Sequence, residues 1–176
     1  METIGICFGR YNPPHKGHKE SWMIAAQSDK FFIGTNPNTV GPKDPLPYNL
    51  KLKAMETIAP EISEHIVPEQ SLFTLASKIY EKFGENVQLK VCTDEDWLST
   101  SLEKYNGVES SHGYFKFDSI IKTPTPRLSS ATLLRDAVRN NDRKMFSDAA
   151  GIGADTEIRI NNTIVKFFDL VGEFVK

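Results

Sequence analysis

The chain has 176 residues, of which 39% are hydrophobic, and its 21 basic and 23 acidic residues leave a net charge of −2. This length and apolar content suffice for one domain with a buried core, and the near-balanced charge excludes a global field that would draw the protein to nucleic acid or an anionic membrane. No apolar run approaches the roughly 20 residues of a membrane-spanning helix, and the first residues have no signal-peptide pattern. We therefore expect a soluble, cytoplasmic protein with one domain over residues 1–176.

The N-terminal third of the chain predicts two strands, each followed by a helix. The apolar run Ile4–Phe8 predicts a strand, and Lys16–Ser28 after it predicts a helix. Lys30–Thr35 contains a continuous apolar run, which is typical of a strand buried on both faces. The proline-rich stretch Asn36–Pro47 predicts a loop, and apolar residues at helical spacing then continue to Pro60, where proline ends the helix.

The middle of the chain continues the alternation. A short strand is predicted at His65–Val67, and the next helix starts after a possible N-cap at Ser71 and ends at Gly84. Alternating apolar residues predict a fourth strand that ends at Cys92, and Ser119–Thr123 is expected to be the last strand. Because strands and helices alternate, we expect an α/β fold: a Rossmann-like, doubly wound parallel sheet of about five strands with helices on both faces.

After the last predicted strand, the sequence predicts only helices. One begins near Ser130, a second covers Asp142–Ala149, and an amphipathic one carries Ile164, Phe167, Phe168, Val171 and Phe174. We expect residues from about 142 to 176 to form a helical segment packed on the domain. The two cysteines, Cys7 and Cys92, fall in predicted strands, which favours buried thiols of a reducing compartment over a disulfide or a metal pair.

A histidine-containing loop follows the first predicted strand, with the sequence GRYNPPHKGH from Gly9 to His18. Two histidines three residues apart in the first turn of a helix lie on roughly one face, so His15 and His18 can both reach one ligand. The free amides and dipole of a helix N-terminus favour an anion there. We interpret His15 and His18 as catalytic donors to a nucleotide, with Gly17 leaving space for a triphosphate between the rings. The other nucleotide-binding residues expected in this loop are Gly9, Arg10 and Lys16.

Two other interpretations of the histidine pair stay open. They can be surface histidines at a helix start, or they can bind zinc, as histidines on one helical face do. The zinc interpretation has little support, because no glutamate lies between them as in HExxH and no third ligand is near in sequence. We therefore expect no metal ligands in the protein.

A second pattern, SSATLLR, covers Ser129 to Arg135. Hydroxyls at a helix N-terminus can cap free amides or bind phosphate oxygens, and an arginine one turn later can reach the same anion. Ser130, Thr132 and Arg135 are thus nucleotide-binding candidates, although simple capping by Ser130 with a solvated Arg135 is the alternative. A doubly wound sheet can bring two helix N-termini to one crevice, which favours a site shared with the histidine loop.

Three residues are candidates for binding a second substrate. Asp94 and Trp97 follow the fourth predicted strand, at the carboxyl end where ligands bind in open α/β sheets, and Lys43 lies in the proline-rich loop. Each has an alternative: Asp94 can cap the next helix, Trp97 can belong to the core, and Lys43 can be an ordinary exposed lysine.

On these motifs the sequence resembles the nucleotidyltransferases of the HxGH superfamily. His15–His18 matches the HxGH loop, and Ser130–Arg135 matches a late S-x-T-x-x-R helix start. The opening Gly9–Pro14 looks most like the GRFxPxHxGH form of archaeal-type nicotinamide mononucleotide adenylyltransferases and similar phage-encoded proteins, and Gly113–Ile120 is also similar to the phage-encoded members. Lys43–Pro47 stands where those proteins carry an N-P-F-T-like segment. The resemblance spans about residues 4 to 149.

The sequence departs from the family pattern at positions that contact the second substrate. Asp44 replaces the usual asparagine and Pro47 the usual threonine, and Thr93-Asp94 stands where a glycine-containing GxD is usual. These departures concern the identity of the acceptor and leave the triphosphate motifs intact.

The resemblance implies transfer of a nucleotidyl group from a nucleoside triphosphate, ATP first, to a phosphorylated acceptor, nicotinamide mononucleotide first, with release of pyrophosphate. Mg²⁺ would bind through the nucleotide phosphates and keep most of its waters, without a protein cage. Two alternatives remain: cytidylyl transfer to a phosphorylated alcohol, and a non-catalytic virion or structural protein that retains the fold. A homo-oligomer or a virion assembly, and a location in a host cytoplasm or virion if the protein is phage-encoded, are open as well.

Overall fold

The computed structural model describes residues 1–38 and 41–175. Its elements, in chain order, are β1 (Glu2–Phe8), α1 (Lys16–Ala25), β2 (Lys30–Thr35), α2 (Tyr48–Ile58), a 3₁₀ helix (Pro60–His65), β3 (Ile66–Pro68), α3 (Leu72–Phe83), β4 (Val87–Thr93), α4 (Asp96–Tyr105), β5 (Ser119–Pro124), α5 (Ala131–Arg139), α6 (Arg143–Ala150), β6 (Glu157–Ile160), β7 (Thr163–Lys166) and α7 (Phe167–Phe174). Of the predicted loop Asn36–Pro47, positions 39 and 40 lie outside the described residues.

The chain divides into two compact units. Unit one comprises Met1–Gly9, Glu20–Asn36 and His65–Pro126, and unit two comprises Arg10–Lys19, Pro37–Glu64 and Arg127–Lys176. The expectation of one domain, with the segment from about 142 packed on it, stays a prediction.

Unit one is built on a parallel sheet with the strand order β3-β2-β1-β4-β5. The chain lays β1, β2 and β3 outward in one direction and then returns to place β4 and β5 on the other side of β1. The order therefore reverses between β1 and β4, which is the switch point of a doubly wound sheet. This confirms the predicted α/β, Rossmann-like fold of five parallel strands.

The two faces of β1 show why helices cover both sides of this sheet. Ile4 and Ile6 are completely buried in a core that they share with Leu75 of α3 and Leu102 of α4. Gly5 points to the opposite face, because alternate strand residues do. A Cβ atom at Gly5 would lie only 2.6 Å from the main-chain oxygen of Ala25, at the end of α1. Glycine at this position thus allows α1 to pack closely on the second face.

Cys7 and Cys92 are buried free thiols on neighbouring strands, as the sequence predicted. The β1–β4 register pairs Ile6 with Val91, so the two cysteines occupy the next positions side by side. The Cys7 thiol lies 3.4 Å from the main-chain oxygen of Ser21, to which it donates a hydrogen bond. The expectation of a reducing compartment stays a prediction.

Unit two contains a hairpin where the sequence predicted only helices. β6 and β7 form an antiparallel pair, so β5 is not the last strand, and Ile164 lies on β7, half exposed, rather than on the final helix. The helical spacing of Ile164 with Phe167 and Phe168 was misleading, because three β-branched residues in a row at 163–165 favour a strand. A two-residue turn joins the strands, and its first residue, Asn161, has φ of 54°, a conformation that asparagine tolerates.

The predicted helices of unit two form as α5, α6 and α7. Ser130 caps α5 and Asp142 caps α6 by accepting hydrogen bonds from the amides of Leu133 and Met145. The side chain of Phe146 on α6 is fully buried, and its ring packs edge-on against two rings of α7, Phe167 at 5.0 Å and Phe168 at 5.3 Å between ring centroids. α5 contacts both α6 and α7, so the three helices pack against one another.

Candidate active site

The histidine loop lies in unit two, and its two imidazoles contact each other. The rings of His15 and His18 stack with centroids 3.6 Å apart, and the ring of Tyr11 packs edge-on against His18 at 4.8 Å. The space that the sequence analysis placed between the rings for a triphosphate is therefore absent, and that part of the interpretation was wrong. Gly17 has a different role: a Cβ atom there would lie 3.0 Å from the His15 ring.

Hydrogen bonds fix the tautomer of both histidines. The main-chain amide of Gly17 donates to His15 Nδ1 at 3.0 Å, and the main-chain amide of His15 donates to His18 Nδ1 at 3.2 Å. Each Nδ1 is thus an acceptor and cannot carry the proton of a neutral ring. The remaining nitrogen, Nε2, is then the proton donor of each imidazole. The loop builds two neutral N–H donors on one short stretch of chain.

The electrostatic environment keeps these rings uncharged. Burial lowers the pKa of His15 to about 4, and the neighbouring ammonium of Lys16 adds to the shift. Burial also lowers the pKa of His18 well below its ordinary value, with a further contribution from His15. At neutral pH both side chains can donate a hydrogen bond to an anion without first losing or gaining a proton.

Arg135 connects the second sequence pattern to this loop. Its Nη1 donates a hydrogen bond to the main-chain oxygen of Asn12 at 3.1 Å, across 123 positions of sequence, and its Nη2 donates to Thr132 Oγ1 at 3.1 Å. The guanidinium is mostly buried, which lowers its pKa from the ordinary value, yet arginine stays charged at any physiological pH. Arg135 is therefore held in place next to the histidine loop by two of the five N–H donors of its guanidinium.

Asn12, which the sequence analysis did not single out, also holds the segment before α2. Its side-chain Nδ2 donates to the main-chain oxygen of Leu46 at 2.9 Å, and the Leu46 amide donates back to Asn12 Oδ1 at 2.8 Å. Both residues are almost fully buried. The Asn-Pro-Pro sequence offered no signal for this role, because a pair of hydrogen bonds between distant positions has no local pattern.

Two buried residues of opposite charge, Asp44 and Lys51, flank Leu46 in the sequence. Asp44 is 8% exposed, and its Oδ1 has no hydrogen-bond partner among the residues described. Lys51, in the first turn of α2, is 1% exposed. Burial lowers the pKa of Lys51 to about 8, and the charge of Asp44 opposes this shift. After burial, the charges of Arg139, Asp136, Asp44 and Arg10 act on the pKa of Arg135, in that order of strength.

The sequence patterns indicate a role for the loop lysine Lys43 and none for Lys51. Lys43 is exposed and lies beside the short bridge that pairs Gly41 with Asp44. A buried lysine is rare unless it has a partner or a function. The signal for it was present: a charged residue at position 51 interrupts the apolar stripe of Leu50, Ala54 and Ile58 on the buried side of α2.

The two serines at the start of α5, Ser129 and Ser130, have different surroundings. Ser130 Oγ accepts the Leu133 amide at 3.2 Å, so the capping alternative describes its contact. Ser129 Oγ is buried and has no hydrogen-bond partner among the residues described. Ser129 lines an open cleft of about 370 Å³ together with Lys16, Leu128, Leu133 and residues of α6. Lys16 itself is exposed, and its Cβ packs over Gly151.

Arg10 is exposed in unit two, whereas Gly9, Asp94 and Trp97 lie in unit one. Gly9 donates its amide to Gly34 O at 3.2 Å and accepts a bond from the Thr35 hydroxyl at 2.8 Å. Asp94 is exposed and is not the cap of α4, whose N-cap is Glu95. Trp97 is 61% exposed, so the core alternative for it was wrong, and its Nε1 donates to Glu95 Oε2 at 2.7 Å.

The structure thus brings His15, His18, Thr132 and Arg135 into one unit, connected through Asn12, and places Gly9, Asp94 and Trp97 in the other unit. Within residues 1–38 and 41–175, no group of three or more histidine, cysteine or acidic side chains could hold a metal ion. None of the helices in this part of the chain is long and apolar enough to cross a membrane.

No protein-family model and no curated protein matches the sequence. A solved structure from Vibrio parahaemolyticus, provisionally described as a nicotinate-nucleotide adenylyltransferase, is similar to this chain with a TM-score of 0.51 and 13% sequence identity. The similarity covers 100% of this chain and 97% of the other. At this identity the likeness concerns the fold alone, and it agrees with the α/β, Rossmann-like architecture described above.

Proposed function

We propose that the protein is a nucleotidyltransferase that transfers an adenylyl group from ATP to nicotinamide mononucleotide and releases pyrophosphate. One observation carries the proposal: the guanidinium of Arg135 is bonded to the main chain of the histidine loop, at Asn12. Two neutral imidazole donors and a buried guanidinium then belong to one unit. This set of donors suits a polyphosphate and has no evident use in a purely structural protein.

The chemistry requires only binding and charge stabilisation. A phosphate oxygen of the acceptor attacks the α-phosphorus in line, the bond to the bridging oxygen breaks, and pyrophosphate leaves with the electron pair. Negative charge grows on the non-bridging and leaving oxygens during this step. The Nε2–H groups of His15 and His18 would donate to the α- and β-phosphates, and Arg135 with Thr132 would hold the β- and γ-phosphates. Arg10 and Lys16 would add positive charge.

The proposed substrate is the magnesium complex of the triphosphate. In this complex the phosphate oxygens and water would hold the ion. Asp94, Trp97 and Lys43 are proposed to contact the acceptor. Trp97 presents an exposed aromatic face, as stacking on a base requires.

A pyrophosphate-release assay tests the proposal. The protein is mixed with Mg²⁺ and either ATP or CTP, and each mixture receives nicotinamide mononucleotide, nicotinate mononucleotide or a phosphorylated alcohol. Nicotinate mononucleotide is included because the similar Vibrio protein is described as acting on a nicotinate nucleotide. We expect the fastest release with ATP and nicotinamide mononucleotide. Pyrophosphate release only in the mixture of CTP and the phosphorylated alcohol would identify those as the substrates in place of ATP and nicotinamide mononucleotide. No release in any mixture, together with no nucleotide binding in calorimetry, would refute the proposal.

A further inference from the structure

Asn12 makes three hydrogen bonds that join three separate stretches of unit two. Its main-chain oxygen accepts Arg135 Nη1, and its side-chain amide makes the reciprocal pair with the main chain of Leu46. Its own chain continues, three residues later, into His15. Asn12 is 2% exposed, so all three bonds are shielded from water, where a lost partner is costly.

The two hydrogen bonds between the Asn12 side chain and Leu46 also fix the start of α2. Leu46 is followed by Pro47, the residue before α2. The main-chain oxygen of Pro47 accepts a hydrogen bond from the Lys51 amide at 2.9 Å. Fixing Leu46 therefore fixes the start of the helix that carries Lys51. Asp44, two residues before Leu46, acts on the charges of both Lys51 and Arg135. One asparagine thus sets where these charged groups lie relative to each other.

The chain contains a second asparagine clamp, by which we mean a reciprocal pair of hydrogen bonds between an asparagine side chain and the main chain of another residue. Asn106 in unit one makes the same reciprocal pair with Phe117: its Nδ2 donates to the Phe117 oxygen at 3.1 Å, and the Phe117 amide donates to its Oδ1 at 2.8 Å. That clamp holds the loop between α4 and β5, and Asn106 is not among the predicted site residues. The Asn12 clamp differs because the same residue also receives the Arg135 guanidinium.

We propose that Asn12 is a positioning residue, which holds the 44–51 segment and Arg135 in the geometry that nucleotidyl transfer requires. This inference rests on the proposed function. The bond from Arg135 goes to the main chain of Asn12 and survives a side-chain substitution, whereas the clamp on Leu46 does not. Loss of the Asn12 amide should therefore impair the geometry of transfer while Arg135 still binds the triphosphate.

The kinetic test compares Asn12→Asp and Asn12→Ala with the control Asn106→Asp. Asn12→Asp has the same shape but replaces the Nδ2 donor by an oxygen that repels the Leu46 carbonyl. A misplacement of about 1 Å can reduce turnover on the order of 100-fold, so we expect kcat to fall about 10- to 100-fold in both Asn12 variants. The Kd for ATP should stay within about threefold, and Asn106→Asp should retain kcat within about twofold. Equal loss of kcat and ATP affinity, or an unchanged kcat in a folded Asn12→Asp protein, would overturn the inference.

Amide hydrogen exchange separates this inference from the proposed function. With Mg²⁺-ATP, exchange in residues 44–51 of the wild type should slow, and this slowing should be lost in Asn12→Ala or, if that variant does not fold, in Asn12→Asp. This readout needs no turnover. An inactive wild-type protein that still shows the Asn12-dependent slowing would refute the transferase proposal and support the coupling. If ATP does not change exchange in 44–51 of the wild type, or changes it equally in the variants, the positioning role is refuted.

Discussion

The guanidinium of Arg135 donates a 3.1 Å hydrogen bond to the main-chain oxygen of Asn12, a residue of the histidine loop. A second bond, to Thr132 Oγ1, uses another nitrogen of the same planar group. Two bonds in different directions orient the guanidinium and use two of its five N–H donors. This contact brings the early and late motifs of the sequence together within unit two.

Replacement of Arg135 by lysine should impair the site although it retains the charge. A lysine ammonium lacks the fixed fork that reaches both Asn12 and Thr132. We expect kcat/KM for ATP to fall about 10- to 100-fold, because charge-assisted hydrogen bonds contribute roughly 1.5–3 kcal/mol each. Steady-state kinetics at saturating acceptor measure the effect, and Arg139→Lys on the exposed side of α5 is the control. A fully active Arg135→Lys enzyme would show that the fork geometry has no role.

Removal of the imidazole of His18 should reduce turnover strongly. A preorganised donor to the developing charge accounts for about 100- to 1,000-fold in kcat, so His18→Ala should lose that much while its circular dichroism spectrum is retained. His112→Ala is the matched control, because His112 stacks on Phe73 in unit one, apart from the motifs. Wild-type turnover by a folded His18→Ala protein would exclude His18 as a catalytic donor.

The low pKa of His15 predicts how stability depends on pH. Burial lowers this pKa from 6.5 to about 4 in the folded state, so between these values only the unfolded chain takes up the proton. The free energy of unfolding should therefore decrease as the pH falls from about 6.5 towards 4, by on the order of 3 kcal/mol from this residue. Urea unfolding at several pH values, compared with His15→Asn, isolates the contribution. Parallel pH profiles for the two proteins would contradict the assignment.

Asp44 should control the protonation of Lys51. A negative charge favours the ammonium form, so Asp44→Asn should lower the Lys51 pKa below its value of about 8. Titration of the Lys51 ¹³Cε resonance measures this pKa directly. Asp148→Asn changes an exposed carboxylate of the same unit and should leave the Lys51 pKa where it is. An unchanged or higher Lys51 pKa in Asp44→Asn would mean that the two groups are not electrostatically coupled as described.

Two neighbouring serines at the start of α5 should respond in opposite ways. Ser130→Ala removes the N-cap bond to Leu133 and should lower the free energy of unfolding by about 1 kcal/mol. Ser129→Ala removes a buried hydroxyl that has no hydrogen-bond partner in the described part of the chain, so stability should be unchanged or about 1 kcal/mol higher. Denaturant unfolding of both variants decides the matter. If Ser129→Ala is the more destabilised protein, the roles are reversed.

The sequence predicted the parallel sheet well because buried strands and capped helices have local patterns. β2 has the predicted bounds, Lys30–Thr35, and α3 is capped by Ser71 and followed by Gly84 as expected. The hairpin was missed because Ile164 also fits a helical repeat with Phe167 and Phe168. Its alternation at 157–160 and its paired asparagines were the signal that favoured strands.

The residue types of the candidate site could be predicted, but several of their contacts could not. The histidine and arginine motifs were visible in the sequence, whereas the bonds that Asn12 makes to Leu46 and Arg135 span 34 and 123 positions. Long-range polar contacts leave no periodic trace in a sequence. The burial of Lys51 did have a local signal, its place among the apolar residues of α2, whereas its electrostatic interaction with Asp44 depends on tertiary packing.

One titration tests most directly whether the histidine loop and Arg135 form a single polyphosphate site. Protein with isotope-labelled histidine and arginine is titrated with the magnesium complex of α,β-methylene-ATP, which cannot be cleaved at the transfer position, while the imidazole and guanidinium resonances are followed by NMR. We predict that the signals of His15, His18 and Arg135 shift together along one binding curve. Shifts of the histidines without Arg135, or of Arg135 without the histidines, would contradict a shared site.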